Sequence, residues 1–336
     1  MGRLAETLAT VKNPSALAGL GLAALFYLVG LLAVRDPGYA YYRETIATAL
    51  VLLNMALGLN IILGMTGYVS FGHVVFFGIG GYVAMALLEY RGWNIYASML
   101  VAAAAGAALA LVLGTIVLRL RGAYFAIATI GLNEAIRVFF ENYQPLGGAN
   151  GIELSVSRVA NLRFMGYQGL AAKLHLSYML LATVTLVAMA MNWFILKSRF
   201  GLGLLAIRED EDAAESMGVD TWRYKTLAYM LSAIPPALAG AVFAWKNGSI
   251  YPHTAFSLTL SIEGIIAVML GGAGTFLGTL LGALTYSGVK TYLLTSFPHL
   301  HLVLFGIAIM AIVEFLPEGV VGWIRIRYTH LRRIIE

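Results

Sequence analysis

Gly58-Leu59-Asn60-Ile61-Ile62-Leu63-Gly64-Met65-Thr66-Gly67-Tyr68-Val69-Ser70-Phe71-Gly72-His73 joins two apolar runs, 45–63 before it and 71–88 after it. A helix needs about 20 mainly apolar residues to cross about 30 Å of hydrocarbon at about 1.5 Å per residue. Each run meets that length, so the stretch between them is a break in otherwise membrane-compatible sequence. Irregular backbone at membrane depth persists only where protein or water satisfies its freed N–H and C=O groups. The break is therefore expected to face a cavity; the alternative is a tight turn whose glycines let helices pack closely.

Working outward, ten apolar runs are expected to cross, at 17–34, 45–63, 71–88, 94–118, 122–140, 174–196, 227–245, 258–270, 275–296 and 300–316. The composition agrees, with 60% of the 336 residues hydrophobic and 12% charged and a mean hydropathy of +0.81. Soluble domains average about 45–50% apolar and about 25% charged residues. The fold class is all-α: a polytopic membrane protein of about ten transmembrane helices, some discontinuous, in one domain spanning 1–336. The first run, 17–34, exceeds the core of a cleaved signal peptide and is read as a retained helix.

Ten crossings put both termini on one side. Thirteen of the 22 basic residues fall in the termini and in the segments that share their side, and seven in the opposite loops, with Arg137 and Lys290 inside helices. By the positive-inside rule both termini are cytoplasmic. The net charge of +5 follows from this topology rather than from a nucleic-acid surface. Without cysteine, disulfides, thiolate catalysis and Cys-ligated zinc are excluded.

A second Gly-rich break, Gly271-Gly272-Ala273-Gly274-Thr275, follows the short run 258–270, which makes a discontinuous helix plausible there. Gly278-x-x-x-Gly282 fits close helix packing. Counting crossings places both breaks on the same side, whereas symmetry mates of an inverted repeat would lie on opposite sides. Pro235-Pro236 must bend the seventh helix, because two carbonyls lose their amide donors.

A charge at the bilayer centre costs on the order of 2.5–3.5 kcal/mol, so each needs a partner, a wet lining or an interfacial position. Glu134 and Arg137, three residues apart on the fifth helix, can neutralise each other. His73 at a helix start reads either as a hydrogen-bonding or capping residue or as a proton-responsive one. Glu263, after Ser261 near a helix start, suits local dipole stabilisation and pathway lining equally. The solute pathway is expected to draw on Thr66, Gly67, Ser70, Phe71, His73, Asn133, Glu134, Glu263, Gly272 and Thr275.

No G-x-x-x-x-G-K-[ST], H-E-x-x-H or G-x-S-x-G occurs, and the histidines show no ligand spacing. The chain is thus not expected to be an enzyme, to carry a metal site or to bind ATP phosphates; any ATP use belongs to partners. In 197–226, Arg208-Glu209-Asp210-Glu211-Asp212-Ala213-Ala214-Glu215-Ser216-Met217-Gly218 predicts a short helix at 210–217. Acidic residues suit its first turn and Gly218 its end. Ala213, Ala214 and Met217 would form a small apolar face for a partner's groove; a solvated connector is the other reading.

These residues carry a resemblance. The stretch quoted first, Phe76-Phe77-Gly78-Ile79-Gly80-Gly81-Tyr82, Leu120-Arg121-Gly122-Ala123-Tyr124-Phe125-Ala126-Ile127-Ala128-Thr129, Gly147-Gly148-Ala149-Asn150-Gly151-Ile152, Ala206 to Gly218, Ser261-Ile262-Glu263 and Gly271 to Gly278 occur in order over roughly 45–290. The chain resembles permeases of the branched-chain amino-acid ABC importer family, the M-type subunit more than the H-type. The resemblance implies an H-type permease beside it, two cytoplasmic ATPase subunits holding ATP-Mg, a periplasmic substrate-binding protein, and a place in a bacterial inner membrane. It implies alternating access, with Arg208, Glu209, Asp210, Glu211, Asp212, Ala213, Ala214, Met217 and Gly218 in the coupling segment. Segment 141–173 becomes periplasmic, with Gly147, Gly148 and Asn150 toward the binding protein. Ala123, where an acidic residue is common in the family, and Asn133, where small residues are common, are departures that bear on substrate preference. Similar permeases serve branched-chain and other neutral amino acids, urea, short amides or carboxylates. A stand-alone secondary transporter of small polar solutes is the main alternative, and an intramembrane enzyme the lesser one.

Overall fold

The computed structural model describes residues 40–297 and the isolated positions 28, 300, 303, 306, 307 and 310. Nearly all of the expected first run, 17–34, and of the tenth, 300–316, lie outside the described residues, as do both termini. Among the described residues, seven helical spans are long and apolar enough to cross a membrane. They correspond to the second through eighth expected runs.

The first of these is α1 (Ala40–Leu59), prolonged by a wider π turn at Asn60–Gly64. After a one-turn 3-10 segment at Phe71–His73 come α2 (Val74–Arg91), α3 (Ile95–Val117) and α4 (Ala123–Asn142). The segment after α4 holds β1 (Ile152–Glu153), α5 (Ser157–Ala160), β2 (Arg163–Phe164) and β3 (Tyr167–Gln168). Next are the long α6 (Gly169–Lys197), then α7 (Arg199–Glu209) and α8 (Glu211–Ser216). The chain returns through α9 (Thr221–Ser232) and α10 (Ile234–Asn247). It closes with β4 (Ser249–Ile250), α11 (Pro252–Ala255), α12 (Leu258–Gly271) and α13 (Phe276–Ser296). The strands form two antiparallel pairs, with Ile152 opposite Ile250 and Arg163 opposite Gln168.

The expected seventh helix is two, parted at Ala233, two residues before Pro235-Pro236, as missing amides require. The expected eighth run is longer than its apolar core suggested. The span begins at Pro252 and is broken at Phe256-Ser257, giving 20 residues in all. Helix α13 has the length but carries Thr279, Thr285, Ser287, Lys290, Thr291 and Thr295, which lower its apolarity.

Helix α1 is the centre of the bundle: 89% of its most apolar window is buried, against 28% for α3 and 22% for α4. Glycines set the closest approaches. A methyl group on Gly80 would fall 2.0 Å from the Ala237 carbonyl, and one on Gly240 2.0 Å from the Phe77 carbonyl. Helices α2 and α10 therefore meet backbone to backbone. At the α12–α13 turn a methyl on Gly282 would fall 2.1 Å from the Ala267 carbonyl, which fulfils the small-residue reading of Gly278 and Gly282.

Candidate functional site

The two Gly-rich breaks lie together at one end of the bundle. Gly64 and Gly274 touch: a methyl on Gly64 would sit 2.5 Å from the Gly274 nitrogen. Between them stands Asn60, whose Oδ1 accepts from the Gly274 amide at 2.9 Å and whose Nδ2 donates to Asn192 Oδ1 at 3.1 Å. Asn192 Nδ2 in turn donates to the Leu57 carbonyl at 3.0 Å. The shared side expected from the crossing count is observed, so the breaks are not inverted-repeat mates. They pack on each other rather than on opposite walls of a cavity.

Helix α7 closes this end. Arg208 Nη1 donates to the Gly64 carbonyl at 2.7 Å and to the Ala273 carbonyl at 3.2 Å. Both acceptors sit at helix carboxyl ends, where backbone donors run out and leave carbonyls free, and where a cation is favoured.

Helix α8 forms where expected. Asp210 caps it, accepting from the Asp212 and Ala213 amides at 3.0 Å each, and Gly218 leaves it with φ at +90°. The acidic start turns partly inward. Glu211 accepts from Lys225 at 2.6 Å and from the Tyr68 hydroxyl at 2.6 Å, with Arg121 3.5 Å away. Burial alone would raise the Glu211 carboxyl, but the hydrogen bonds of Lys225 and Tyr68 and the positive charges around it outweigh burial and hold it below the ordinary carboxylate value. Burial, and then Glu211, push the Tyr68 hydroxyl up, so it remains a donor. Arg121 also pairs with Asp212 at 2.9 Å. The expected apolar face is smaller than its three residues: Ala214 is buried, while Ala213 is exposed and Met217 is 86% exposed.

The expected pathway residues divide into three groups. Thr66, Ser70, His73 and Asn133 are buried, and three of these satisfy backbone carbonyls. Thr66 Oγ1 donates to the Ile62 carbonyl. His73 Nε2 donates at 3.0 Å to the Ser232 carbonyl, the acceptor that Pro236, four residues on, has no N–H to serve. Asn133 Nδ2 donates at 3.0 Å to the Phe256 carbonyl; the tightened first turn of α12, with the Leu260 amide on Ser257, leaves that carbonyl free. The second group joins the breaks to their neighbours. The Phe71 amide donates to Thr129 Oγ1 at 3.2 Å, Thr275 Oγ1 to the Gly272 carbonyl at 2.8 Å, and Gly272 itself is buried.

Gly67, Glu134 and Glu263 form the third. Gly67 is exposed, Glu263 is ion-paired with Lys290 of α13, and Glu134 is paired with Arg137 on α4. Arg137 reaches Glu141 as well, so two carboxylates share one guanidinium. Helix α4 buries Phe125, Thr129, Asn133 and Phe140, and Tyr124, Ile127, Gly131, Glu134 and Val138 make a continuous exposed stripe opposite. A methyl on Gly131 would meet nothing within 4 Å.

At the opposite end, Gly147 and Gly148 shape a loop. Its turns close on Gln144 and Tyr143 carbonyls, and Gly148 is buried while Asn150 is exposed. Asn60, Asn192, Tyr68 and Lys225 escaped the sequence reading of the site. Amides inside apolar runs at 60 and 192 were the available signal, but their pairing across 132 positions had no local trace.

Over residues 41–313 the sequence matches the family described as "Branched-chain amino acid transport system / permease component". It is 30% identical over 322 residues to the high-affinity branched-chain amino acid transport system permease protein LivM of Escherichia coli (strain K12), covering 89% of this chain and 75% of that one. It is 25% identical over 287 residues to the corresponding permease protein LivH of the same organism, covering 80% and 90%. It is 26% identical over 287 residues to the autoinducer 2 import system permease protein LsrC of Yersinia pestis (strain Pestoides F), covering 82% and 77%. No solved structure matches the chain.

Proposed function

The chain belongs to the family of branched-chain amino acid transport system permease components, and from that premise we propose that it is one of two membrane subunits of an ATP-driven amino-acid importer. It moves solute by alternating access and has no chemistry of its own. Its partners in this reading are a homologous H-type permease, two cytoplasmic ATPase subunits that bind ATP-Mg, and a periplasmic binding protein. The chain lies as one permease domain in a bacterial inner membrane with both termini cytoplasmic. Residues 197–226 then face the cytoplasm, and 141–173, with Asn150 at its surface, face the binding protein.

The observation that carries this reading is α8. A six-residue helix has too few internal hydrogen bonds to persist alone. This one is capped by Asp210, braced from beneath by Lys225 and Tyr68, and presents Ala213 and Met217 outward. A solvated connector has no need of such bracing, whereas a docking helix does.

The solute pathway, on this reading, runs along the exposed stripe of α4 between the two permeases. Two carboxylates on one guanidinium leave a net negative charge toward the outer end of this stripe, which a wet pathway accepts. Such a charge suits the ammonium group of an amino acid. The likeness to an autoinducer 2 permease favours a second reading, in which the solute is another small polar molecule.

Mild-detergent purification of the tagged chain from its native membranes, with mass-spectrometric identification of what remains bound, tests the proposal. A second permease together with P-loop ATPases is the expected result. The chain alone across several detergents would make it a secondary transporter instead.

A further inference from the structure

We propose that Arg208 is the positioning residue that ties the partner-facing helices α7 and α8 to both membrane breaks, so that a displacement of α8 moves the second break with the first. The inference rests on the coupling role proposed for α8.

Four observations carry it. First, a single nitrogen, Nη1, donates to carbonyls on two different spans, Gly64 at 2.7 Å and Ala273 at 3.2 Å. Secondly, the second break comes so near Arg208 that it has no room for a side chain there. A methyl on Gly274, whose φ is +81°, would fall 2.7 Å from Arg208 Nη1 and 2.6 Å from the Gly64 carbonyl. Thirdly, Arg208 lies two residues before Asp210, the cap of α8, so its backbone follows that helix closely. Fourthly, the tie from α8 itself to the breaks, Glu211 to the Tyr68 hydroxyl, reaches the first break and not the second. The second break depends on Arg208 for its direct bond to α7. A cation at two helix carboxyl ends is also a favourable arrangement in itself, but a merely stabilising arginine would not need to select one carbonyl from each break.

The test uses the complex co-purified from native membranes and amide hydrogen exchange, which reports local opening segment by segment. Exchange is compared between ATP-Mg and ADP in three segments: 208–218, 60–75 and 268–280. In the wild-type complex, nucleotide is expected to change exchange in all three. In Arg208→Gln the change at 208–218 is expected to persist and that at 268–280 to be lost. Arg208→Lys keeps the cation but ends shorter, so it reaches the nearer Gly64 carbonyl and not both; it is expected to show the same loss, and it decides the matter if Arg208→Gln fails to assemble. A nucleotide-dependent change at 268–280 that survives in both variants overturns the inference, as does a wild-type complex that responds at 208–218 and not at the breaks. A wild-type complex with no response at 208–218 overturns the coupling role itself, which separates the two failures.

Discussion

His73 and Asn133 do the same job at two places. Each supplies an N–H to a carbonyl that a break in another helix has left without its donor. A buried acceptor without a partner costs about 1–3 kcal/mol. His73→Phe, which keeps the ring and removes the donor, is therefore expected to lower stability by about that amount, and His73→Gln to restore much of it. Thermal unfolding of the detergent-purified chain checks this; equal loss in both variants would mean that ring packing against Phe76 and Tyr229 matters more than the hydrogen bond. Half of this arrangement was legible in the sequence. An ionisable residue in an apolar run and a Pro-Pro pair were both visible, and the pair announced that carbonyls would be stranded. What linked them was not, because Ser232 lies 159 positions from His73 and their meeting depends on α2 and α10 packing backbone to backbone.

At the scale of the element, α8 is a case where local sequence was sufficient for shape and insufficient for orientation. The acidic first turn and Gly218 marked its two ends; that Asp210 is the cap came from the structure. That Glu211 turns toward Lys225 and Ala214 toward the core follows only from what lies beneath. Charge reversal at Glu211 would therefore crowd Arg121 and Lys225 and disturb the helix itself, so it cannot isolate a partner contact. Met217→Glu is the cleaner change. It is expected to leave α8 folded and to weaken retention of the ATPase subunits, measured by co-purification; undiminished retention would remove Met217 from the contact.

The brace also has a pH dependence with a definite sign. Because the folded state holds the Glu211 carboxyl below its ordinary value of 4.5, the unfolded state binds the proton more readily. The contribution is present above the ordinary value and is lost as pH falls through the lower folded one. Amide protection over 211–217, taken relative to the intrinsic exchange rate at each pH, is expected to hold at neutral pH and to fall under acid, and Glu211→Gln to flatten that dependence.

For the molecule as a whole, composition and run length were enough for an all-helical, multi-pass bundle, and crossing parity was enough to put both breaks at one end. They could not say which apolar helix is central, since α1 and α4 are both long and mainly apolar while one is enclosed and the other lies open. Contacts between distant segments decide that, and a single apolar run carries no record of them. The open face of α4 gives the corresponding prediction. Since the chain contains no cysteine, Ile127→Cys introduces a single thiol on that stripe. It is expected to be labelled by a maleimide in the detergent-purified chain alone and to be protected from it in the assembled complex. Unchanged labelling in the assembled complex would turn the face toward lipid. Glu134→Gln is expected to reduce solute uptake by the complex with its assembly intact; unaltered uptake would remove the charge from the pathway.

The bond between His73 and the Ser232 carbonyl makes the break at Ala233 an unusual joint. In mechanical terms it is a hinge whose pin belongs to another part: α9 cannot swing freely beneath α10, because the pivot is held by the first residues leading into α2. Any stroke that bends this span must either withdraw the pin or carry the adjoining rod along with it, and the interlocked glycines of α2 and α10 favour carrying it.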